Sequence, residues 1–265
     1  MTRMEARTGA PAGIAGPALF TAAWLVSSLR QTGHRAADIQ ISGLAAPDAR
    51  DPWIMMAGFL MLGGCSVAFG TALHDALGGR GQAGPAPRLI QGAGVLTVAA
   101  GLLRRDHMLL TSGSVSWHNH AHDLISAVIY ADLVVAQLVL ARRFGRDAGD
   151  GKWRRWRPWL LASAGLTAGL LITFAADTSA PDAGILQRAT VTVPLAVVTA
   201  IAIRLTKEKG QASGPGAGAA RARRTGGGSR PCADQMAPGP SGQEFPDGRL
   251  AATRGWSCQA GMVAM

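Results

Sequence analysis

Three histidines and an aspartate form the part of this chain whose spacing is most suited to chemistry. They lie in the run 117–123, which reads Trp-His-Asn-His-Ala-His-Asp. If a helix has begun by Trp117, His118 and His122 lie one turn apart on one face and could hold one metal ion. Asp106 or Asp123 could supply a carboxylate ligand or orient a ring nitrogen. The pattern predicts a divalent metal site, such as zinc, on His118, His122 and Asp106, with an open position for water.

The same histidines also have a purely structural interpretation. Two histidines four residues apart occur often by chance, and the run contains no His-Glu-x-x-His motif. In this interpretation they are polar side chains that cap the beginning of a helix. The sequence leaves both interpretations open.

Two charged residues lie inside apolar runs. Asp132 is near the middle of one run, where an ionised carboxylate costs about 2.5–3.5 kcal/mol. Such a residue is a candidate for ligand or proton binding, and the alternative is a protonated Asp132 hydrogen-bonded to Tyr130, Gln137 or a neighbouring backbone group. Arg188 needs an acidic or carbonyl partner, for which Asp106 is the first choice and Asp123 the second.

Six long apolar runs must position these residues, and the third is the shortest. They span 10–29, 53–73, 89–103, 124–141, 159–176 and 183–203. All but the third are close to the ~20 residues with which a helix crosses a hydrocarbon core. The third gives a helix of roughly 22 Å and requires local thinning of the bilayer or snorkelling arginines. The pattern predicts an all-α polytopic transmembrane bundle with six spans.

Basic residues set the predicted orientation of the bundle. The loop 141–157 contains Arg142, Arg157 and five further Arg or Lys residues, so the positive-inside rule makes it cytoplasmic. Counting spans from this loop puts both termini in the cytoplasm and the histidine run outside. We expect a multi-pass protein of the plasma (cytoplasmic) membrane. A second role for Arg142–Arg157 is contact with anionic lipid headgroups.

Composition supports this assignment and bounds the domains. The 265 residues are 48% hydrophobic and only 16% charged, whereas soluble domains average about 25% charged. The net charge of +10 lies in short loops beside apolar runs, so we expect no nucleic-acid partner. From Gly210 onward Gly, Ala, Pro and Arg dominate. This predicts a transmembrane domain over 1–209 and a disordered cytoplasmic tail over 210–265.

The order of the polar residues relative to the apolar runs also resembles a known family. Asp-Ile-Gln-Ile-Ser-Gly-Leu at 38–44 is followed by Asp106, by the run 117–123, and by Gly-Ile-Leu-Gln-Arg at 184–188. The whole core is similar to the six-helix prokaryotic membrane proteins of the domain of unknown function 998 family. The resemblance implies a polar signature of Ser42, Asp106, His122 and Arg188, with His118 as a frequent companion. The family name implies a fold but no activity.

Three functions are compatible with these residues, and the sequence does not decide whether the protein is an enzyme. In the first, the outer polar cluster and Asp132 bind or transport a small molecule or a lipid, with Arg188 and Asp123 as further binding residues. The second is a metal-dependent membrane hydrolase with catalytic candidates Ser42, Asp106, His118 and His122. The third is a non-catalytic membrane protein whose polar residues hold the bundle together.

Overall fold

A computed structural model describes residues 5–32, 35–78, 84–109, 115–146, 151, 153–176, 178 and 182–212. In these ranges the chain is all-α, as predicted, with two short 3-10 turns and no strand. The six helices are α1 Glu5–Arg30, α2 Pro52–Ala76, α3 Ala86–Leu102, α4 Trp117–Arg146, α5 Arg157–Ala176 and α6 Ala183–Ala212. The tail predicted to be disordered lies outside the described residues from 213 onward.

Five of these helices, all except α3, are long and apolar enough to cross a membrane. The helix α3 has 17 residues, which corresponds to about 26 Å. It lies beside α2 along most of its length, from the contact of Gly101 with Phe59 to that of Pro87 with Gly70. The count of six spans and the cytoplasmic location of both termini remain predictions.

The helices form a ring in chain order. Each packs against the next, and α1 closes the ring against α6. The helices α2 and α3 approach each other closely, and a Cβ added to Gly63 would lie 2.5 Å from the carbonyl oxygen of Gly94. Because a side chain at either position would separate the backbones, these glycines determine the α2–α3 distance.

A small apolar cavity lies inside the ring. Its volume is about 70 Å³, and its walls include Phe20, Phe59, Ala100, Tyr130 and Leu195. Side chains from α1, α2, α3, α4 and α6 form these walls, whereas α5 contributes none. The fifth helix therefore packs outside the cavity, against α4 and α6.

The two ends of the ring differ in composition, and we name them accordingly. The polar end is where α1, α3 and α5 finish and α2, α4 and α6 begin. The basic end is the opposite end, and it contains the 3-10 turn Arg154–Trp156. Every candidate site residue except Asp132 lies at the polar end.

Candidate functional site

Residues 35–51, which we call the cap segment, fold over the polar end of the ring. Most of the stretch 39–46 is almost completely buried. The side-chain amide of Gln40 donates to the carbonyl oxygen of Thr178 at 2.8 Å. The backbone N–H of Ile41 donates to Oε1 of Gln187 at 2.5 Å. The cap segment is therefore fastened to the beginning of α6 by amide side chains.

Ser42, a candidate nucleophile, lies inside this cap segment. Only 5% of its surface is exposed, and its hydroxyl oxygen accepts a hydrogen bond from Nε2 of Gln187 at 3.4 Å. A nucleophile needs room for a substrate carbonyl beside its oxygen, and the burial of Ser42 disfavours that role. Its position suits a packing and hydrogen-bonding role.

Arg188 holds the cap segment through carbonyl groups, which corrects the predicted pairing with Asp106 or Asp123. Its Nη1 donates to the carbonyl oxygens of Ile39 and Gly184, both at 2.8 Å. Its Nη2 donates to the hydroxyl of Ser28 at 2.9 Å. The guanidinium also lies over the ring of Trp24 at 5.2 Å from the centroid. The carbonyl alternative was correct because the cap segment, which brings Ile39 to α6, stands between Arg188 and the acidic residues.

Asp106 is held by the beginning of α4. Ser116 caps this helix, since its hydroxyl oxygen accepts the backbone N–H of Asn119 at 3.3 Å. The backbone N–H of Ser116 donates to Oδ2 of Asp106 at 2.6 Å, and its hydroxyl lies 2.7 Å from Oδ1. These two bonds, with smaller contributions from nearby His118 and His107, lower the pKa of Asp106. Asp106 is therefore a carboxylate at neutral pH.

His118 is oriented by this carboxylate and is half exposed. Its Nδ1 lies 2.8 Å from the hydroxyl oxygen of Ser116 and 3.3 Å from Oδ1 of Asp106, and 43% of the side chain is exposed. A serine–histidine–aspartate relay would contact serine and aspartate through opposite ring nitrogens. Here one nitrogen contacts both, so the three residues do not form such a relay. In the described part of the chain, Nε2 has no hydrogen-bond partner.

A second histidine–aspartate pair lies beside the first. Nδ1 of His107 is 3.6 Å from Oδ2 of Asp48, and both side chains are about half exposed. The other carboxylate oxygen of Asp48 accepts the backbone N–H of Met108 at 2.8 Å. In each pair, Nδ1 of an imidazole faces a carboxylate that is itself anchored to backbone, and the distance from His107 to Asp48 exceeds that of a hydrogen bond.

His122 has a different environment from His118. Its surface is 2% exposed, and Nδ1 lies 2.9 Å from the carbonyl oxygen of Ala100 and 2.8 Å from that of Leu103. These carbonyls end α3, so Nδ1 carries the proton and ties α4 to α3. The ring packs edge-on against Phe59. His122 therefore fills the space between the polar end and the central cavity.

The predicted metal group is not assembled by these positions. Among the described residues no three His, Cys, Asp or Glu side chains lie close enough to hold a metal ion. His118 and His122 do share a helix face, as predicted, but one meets solvent and the other the interior. Zinc at this end of the ring stays a prediction.

Arg105 and Asp123 form the remaining charged part of the polar end. Arg105 is 6% exposed, and its Nη1 donates to Oε1 of Gln40 at 2.5 Å. Its Nε lies 3.9 Å from Oδ1 of Asp123. Burial lowers the pKa of Arg105, whereas Asp123 and Asp106 oppose that shift. The Asp123 side chain is 52% exposed and presents a carboxylate to the outside.

Asn119 connects the two carboxylates of this end. Its Oδ1 accepts the backbone N–H of Asp106 at 3.2 Å, and its Nδ2 donates to Oδ2 of Asp123 at 3.0 Å. Sequence reasoning assigned no role to Asn119 or Asp48, and it treated Arg105 only as one of the snorkelling arginines beside the third apolar run. Buried polar groups must be paired, so Arg105 beside an apolar run was a signal for a buried network.

Asp132 lies apart from this network, midway along α4. Its Oδ2 is 3.5 Å from the position that a Cβ on Gly92 of α3 would occupy. It makes no hydrogen bond or ion pair with the described residues, so the alternative of bonds to Tyr130 or Gln137 is not supported. Tyr130 lines the central cavity and Asp132 does not. The missing side chain of Gly92 leaves space for the carboxyl group in the α3–α4 seam.

Comparison with known proteins identifies the family of this chain. Searches among curated proteins and among solved structures return no match. A family model described as "Protein of unknown function (DUF998)" matches residues 14–204. This range includes nearly all of the ring and every residue of the polar end discussed above. The chain therefore belongs to the DUF998 family, and its apolar helices make it a multi-pass integral membrane protein in contact with lipid.

Proposed function

We propose that this protein binds a small molecule that is positively charged or donates hydrogen bonds, at the surface between α3 and α4. The observation that carries the proposal is the pair of half-exposed imidazoles, His107 and His118, whose Nδ1 atoms face the carboxylates of Asp48 at 3.6 Å and Asp106 at 3.3 Å. A carboxylate on Nδ1 fixes the ring orientation and makes the other nitrogen more basic. Nε2 of each ring is then an acceptor that is available to a ligand.

The charges around these imidazoles favour the same class of ligand. Asp123 adds an exposed carboxylate, whereas Arg105 and Arg188 donate inward to the cap segment. Of the other arginines at this end, Arg30 and Arg50 lie against Asp51, Arg35 is exposed in the cap segment, and half-buried Arg104 points to the sulfur of Met56. Apart from Arg104, the outward-facing groups between α3 and α4 are acceptors, which an anionic ligand would not match.

A nitrogen NMR titration of histidine-labelled protein in nanodiscs tests this proposal. The probes are methylammonium, a cation with N–H donors, and acetate, an anion of similar size. We expect methylammonium to shift the Nε2 resonance of His118 and acetate to leave it unchanged. The shift should be lost in Asp106→Asn and retained in His120→Ala, whose imidazole lies on the same helix turn. Equal shifts with both probes would contradict the proposal.

A divalent metal ion is the second candidate ligand. One specific observation favours it, since histidines that bind metals usually donate Nδ1–H to a carboxylate, as His118 can to Asp106. Elemental analysis of the purified full chain separates it from the first candidate. About one zinc per chain, lost in His118→Ala and kept in His120→Ala, would support it. Zinc-free folded protein would exclude it, and the burial of Ser42 already weakens the hydrolase hypothesis.

Transport is an extension of the binding proposal, and Asp132 is its critical residue. A carboxyl group at mid-membrane with no partner among the described residues could change protonation as a ligand passes. In proteoliposomes, Asp132→Asn should abolish pH-dependent uptake of methylammonium while leaving the NMR shift at His118 intact. Binding without uptake in the wild type would restrict the protein to binding.

The basic end has a separate proposed partner, the anionic lipid of the cytoplasmic leaflet of the plasma membrane. The described arginines of the region Arg142–Arg157 are Arg142, Arg143, Arg146, Arg154, Arg155 and Arg157. Basic side chains at a membrane surface each contribute about 1 kcal/mol toward anionic lipid. This proposal also places the basic end in the cytoplasm, and cysteine labelling from either side of sealed vesicles tests that orientation.

A further inference from the structure

A large groove separates α5 from α6 on the outside of the ring. Its volume is about 650 Å³, which falls within the roughly 300–1,000 Å³ of ligand pockets. Leu166 on α5 and Val193 and Val197 on α6 form apolar walls. The groove lies on the side of α5 away from the central cavity, so it is separate from the polar end and from the ligand proposed there.

Small side chains create this groove. Ala162 on α5 and Ala196 and Ala200 on α6 line it, where Leu or Ile would fill the space between the helices. Ser163 also lines the groove, and its hydroxyl oxygen is buried without a hydrogen-bond partner among the described residues. The hydroxyl oxygen has almost no accessible surface, so the lining that an occupant of the groove meets at this position is apolar.

The end of the groove at the basic end combines a cation with aromatic rings. Arg155, Trp156 and Trp159 line it there, and Trp159 is largely exposed. Tryptophan is enriched at membrane–water interfaces, where one part of the ring is apolar and the other is polar. This end of the groove is therefore placed at the level of lipid headgroups, with the apolar walls extending into the hydrocarbon.

The length of the groove matches one leaflet. Trp156 and Leu166 lie ten residues apart on one continuous segment, which corresponds to about 15 Å. Half of a typical hydrocarbon core is also about 15 Å. An occupant that enters from the basic end thus reaches the middle of the bilayer and no further.

We propose that this groove is a specific site for one anionic phospholipid, with its phosphate at Arg155 and an acyl chain between α5 and α6. The ester carbonyl region then lies near Ser163, one to two turns deeper than Trp159. This inference rests on the anionic-lipid contact proposed for the basic end and adds a defined position for the acyl chain of that lipid. We assign a lipid to the groove because a cationic end continues into apolar walls whose length matches one leaflet of the bilayer.

Lipid retention by the full chain tests the inference. The protein is reconstituted in nanodiscs containing dioleoyl phosphatidylcholine and dioleoyl phosphatidylglycerol at four to one, re-extracted in mild detergent, and its retained lipids are counted by native mass spectrometry. We expect about one phosphatidylglycerol per chain. Phosphatidylglycerol with brominated acyl chains should quench tryptophan fluorescence, since Trp156 and Trp159 line the site.

Two variants, each with a control, test the binding of the acyl chain and of the headgroup separately. Ala196→Leu fills the groove and should reduce retained phosphatidylglycerol at least fivefold, whereas Ala127→Leu, on an exposed face of α4, should not. Arg155→Gln should lower the preference for phosphatidylglycerol about fivefold, and Arg142→Gln, exposed at the same end, should lower it less. Unchanged melting temperatures show that each variant is folded.

Three results would overturn the inference, and they differ in what else they affect. Retention that responds equally to Arg142→Gln and Arg155→Gln and ignores Ala196→Leu would leave a general basic surface and no groove site. Equal retention of both lipids by the wild type would remove the anionic-lipid proposal as well. A dimer that Ala196→Leu dissociates would assign the groove to a second copy of the chain.

Discussion

The polar end and the basic end of this ring are closed in different ways. At the polar end, side chains bond backbone groups far away in the chain, as Arg188 does with Ile39. At the basic end, aromatic rings and arginines meet, as where Arg204 lies 4.2 Å from the ring centroid of Trp153. Hydrogen-bonded closure gives a fixed shape that can orient a ligand, whereas an aromatic and basic surface suits a fluid partner such as lipid.

The largest expected difference in stability between the two ends is that between alanine substitutions at two glycines. A methyl group on Gly184 would overlap the carbonyl oxygens of Ala37 and Ile39, so Gly184→Ala should destabilise the protein by about 3 kcal/mol. A methyl group on Gly145 would meet only the flexible side chain of Arg157. Gly145→Ala should therefore be neutral or stabilise by up to ~1 kcal/mol. Thermal unfolding in detergent measures both, and equal losses would mean that the ends are equally rigid.

Two arginines sharpen the comparison through hydrogen bonds. Arg188→Gln removes bonds to Ile39, Gly184 and Ser28 and should cost about 3 kcal/mol. Arg143→Gln at the basic end removes a bond to the carbonyl oxygen of Leu77 and should cost about 1 kcal/mol. Unfolding temperatures of the two variants, prepared in parallel, check this order. A reversed order would show that the cap segment is weakly held.

Acidic pH should destabilise the polar end because it protonates Asp106. Its pKa is lowered in the folded protein, so its contribution is complete above the ordinary carboxyl pKa and is lost as pH falls below about 4. Asp106→Asn removes this contribution at neutral pH, so its melting temperature should fall less steeply than that of the wild type below about pH 4. Asp75→Asn, at an exposed position of the basic end, is the control and should keep the wild-type slope.

The smallest effects should be the same at both ends. Arg30 and Asp51 form an exposed ion pair at the polar end, and Arg204 and Glu208 form one at the basic end. Arg30→Gln and Glu208→Gln should each change stability by about 0.5 kcal/mol or less, and less still in high salt. A cost above about 1 kcal/mol at one end would show that its surface charges are coupled to the buried network.

The sequence predicted the helices because long apolar runs determine them with little help from tertiary contacts. The helix α4 begins at Trp117, where the spacing argument for His118 and His122 required it. The spacing of His118 and His122 does not reveal that these histidines have different environments. It specifies the direction in which each side chain points from the helix. The exposure of a side chain also depends on its depth along the helix, and one turn at the beginning of α4 separates solvent from the interior of the ring.

The partners of the charged residues were harder to predict than the helices. An acidic residue was the first choice of partner for Arg188, but its guanidinium bonds the carbonyl oxygen of Ile39 in the cap segment. The cap segment has no periodic apolar pattern, and its position depends on Gln40 and Gln187, which are far apart in the chain. Contacts of this kind follow from the assembled ring and leave little trace in local sequence.

The long separation of these contacts has a consequence for biosynthesis. Gln40, Ile41 and Ile39 bond to residues that follow them by 138, 146 and 149 positions. During synthesis the first helices enter the membrane while the carbonyl and amide groups of the cap segment still lack these partners. Only the arrival of α6 completes them, so the cap segment cannot close before α6 is made. A chain that stops before α6 should leave these groups unpaired, and we expect cellular quality control to recognise it as unfolded.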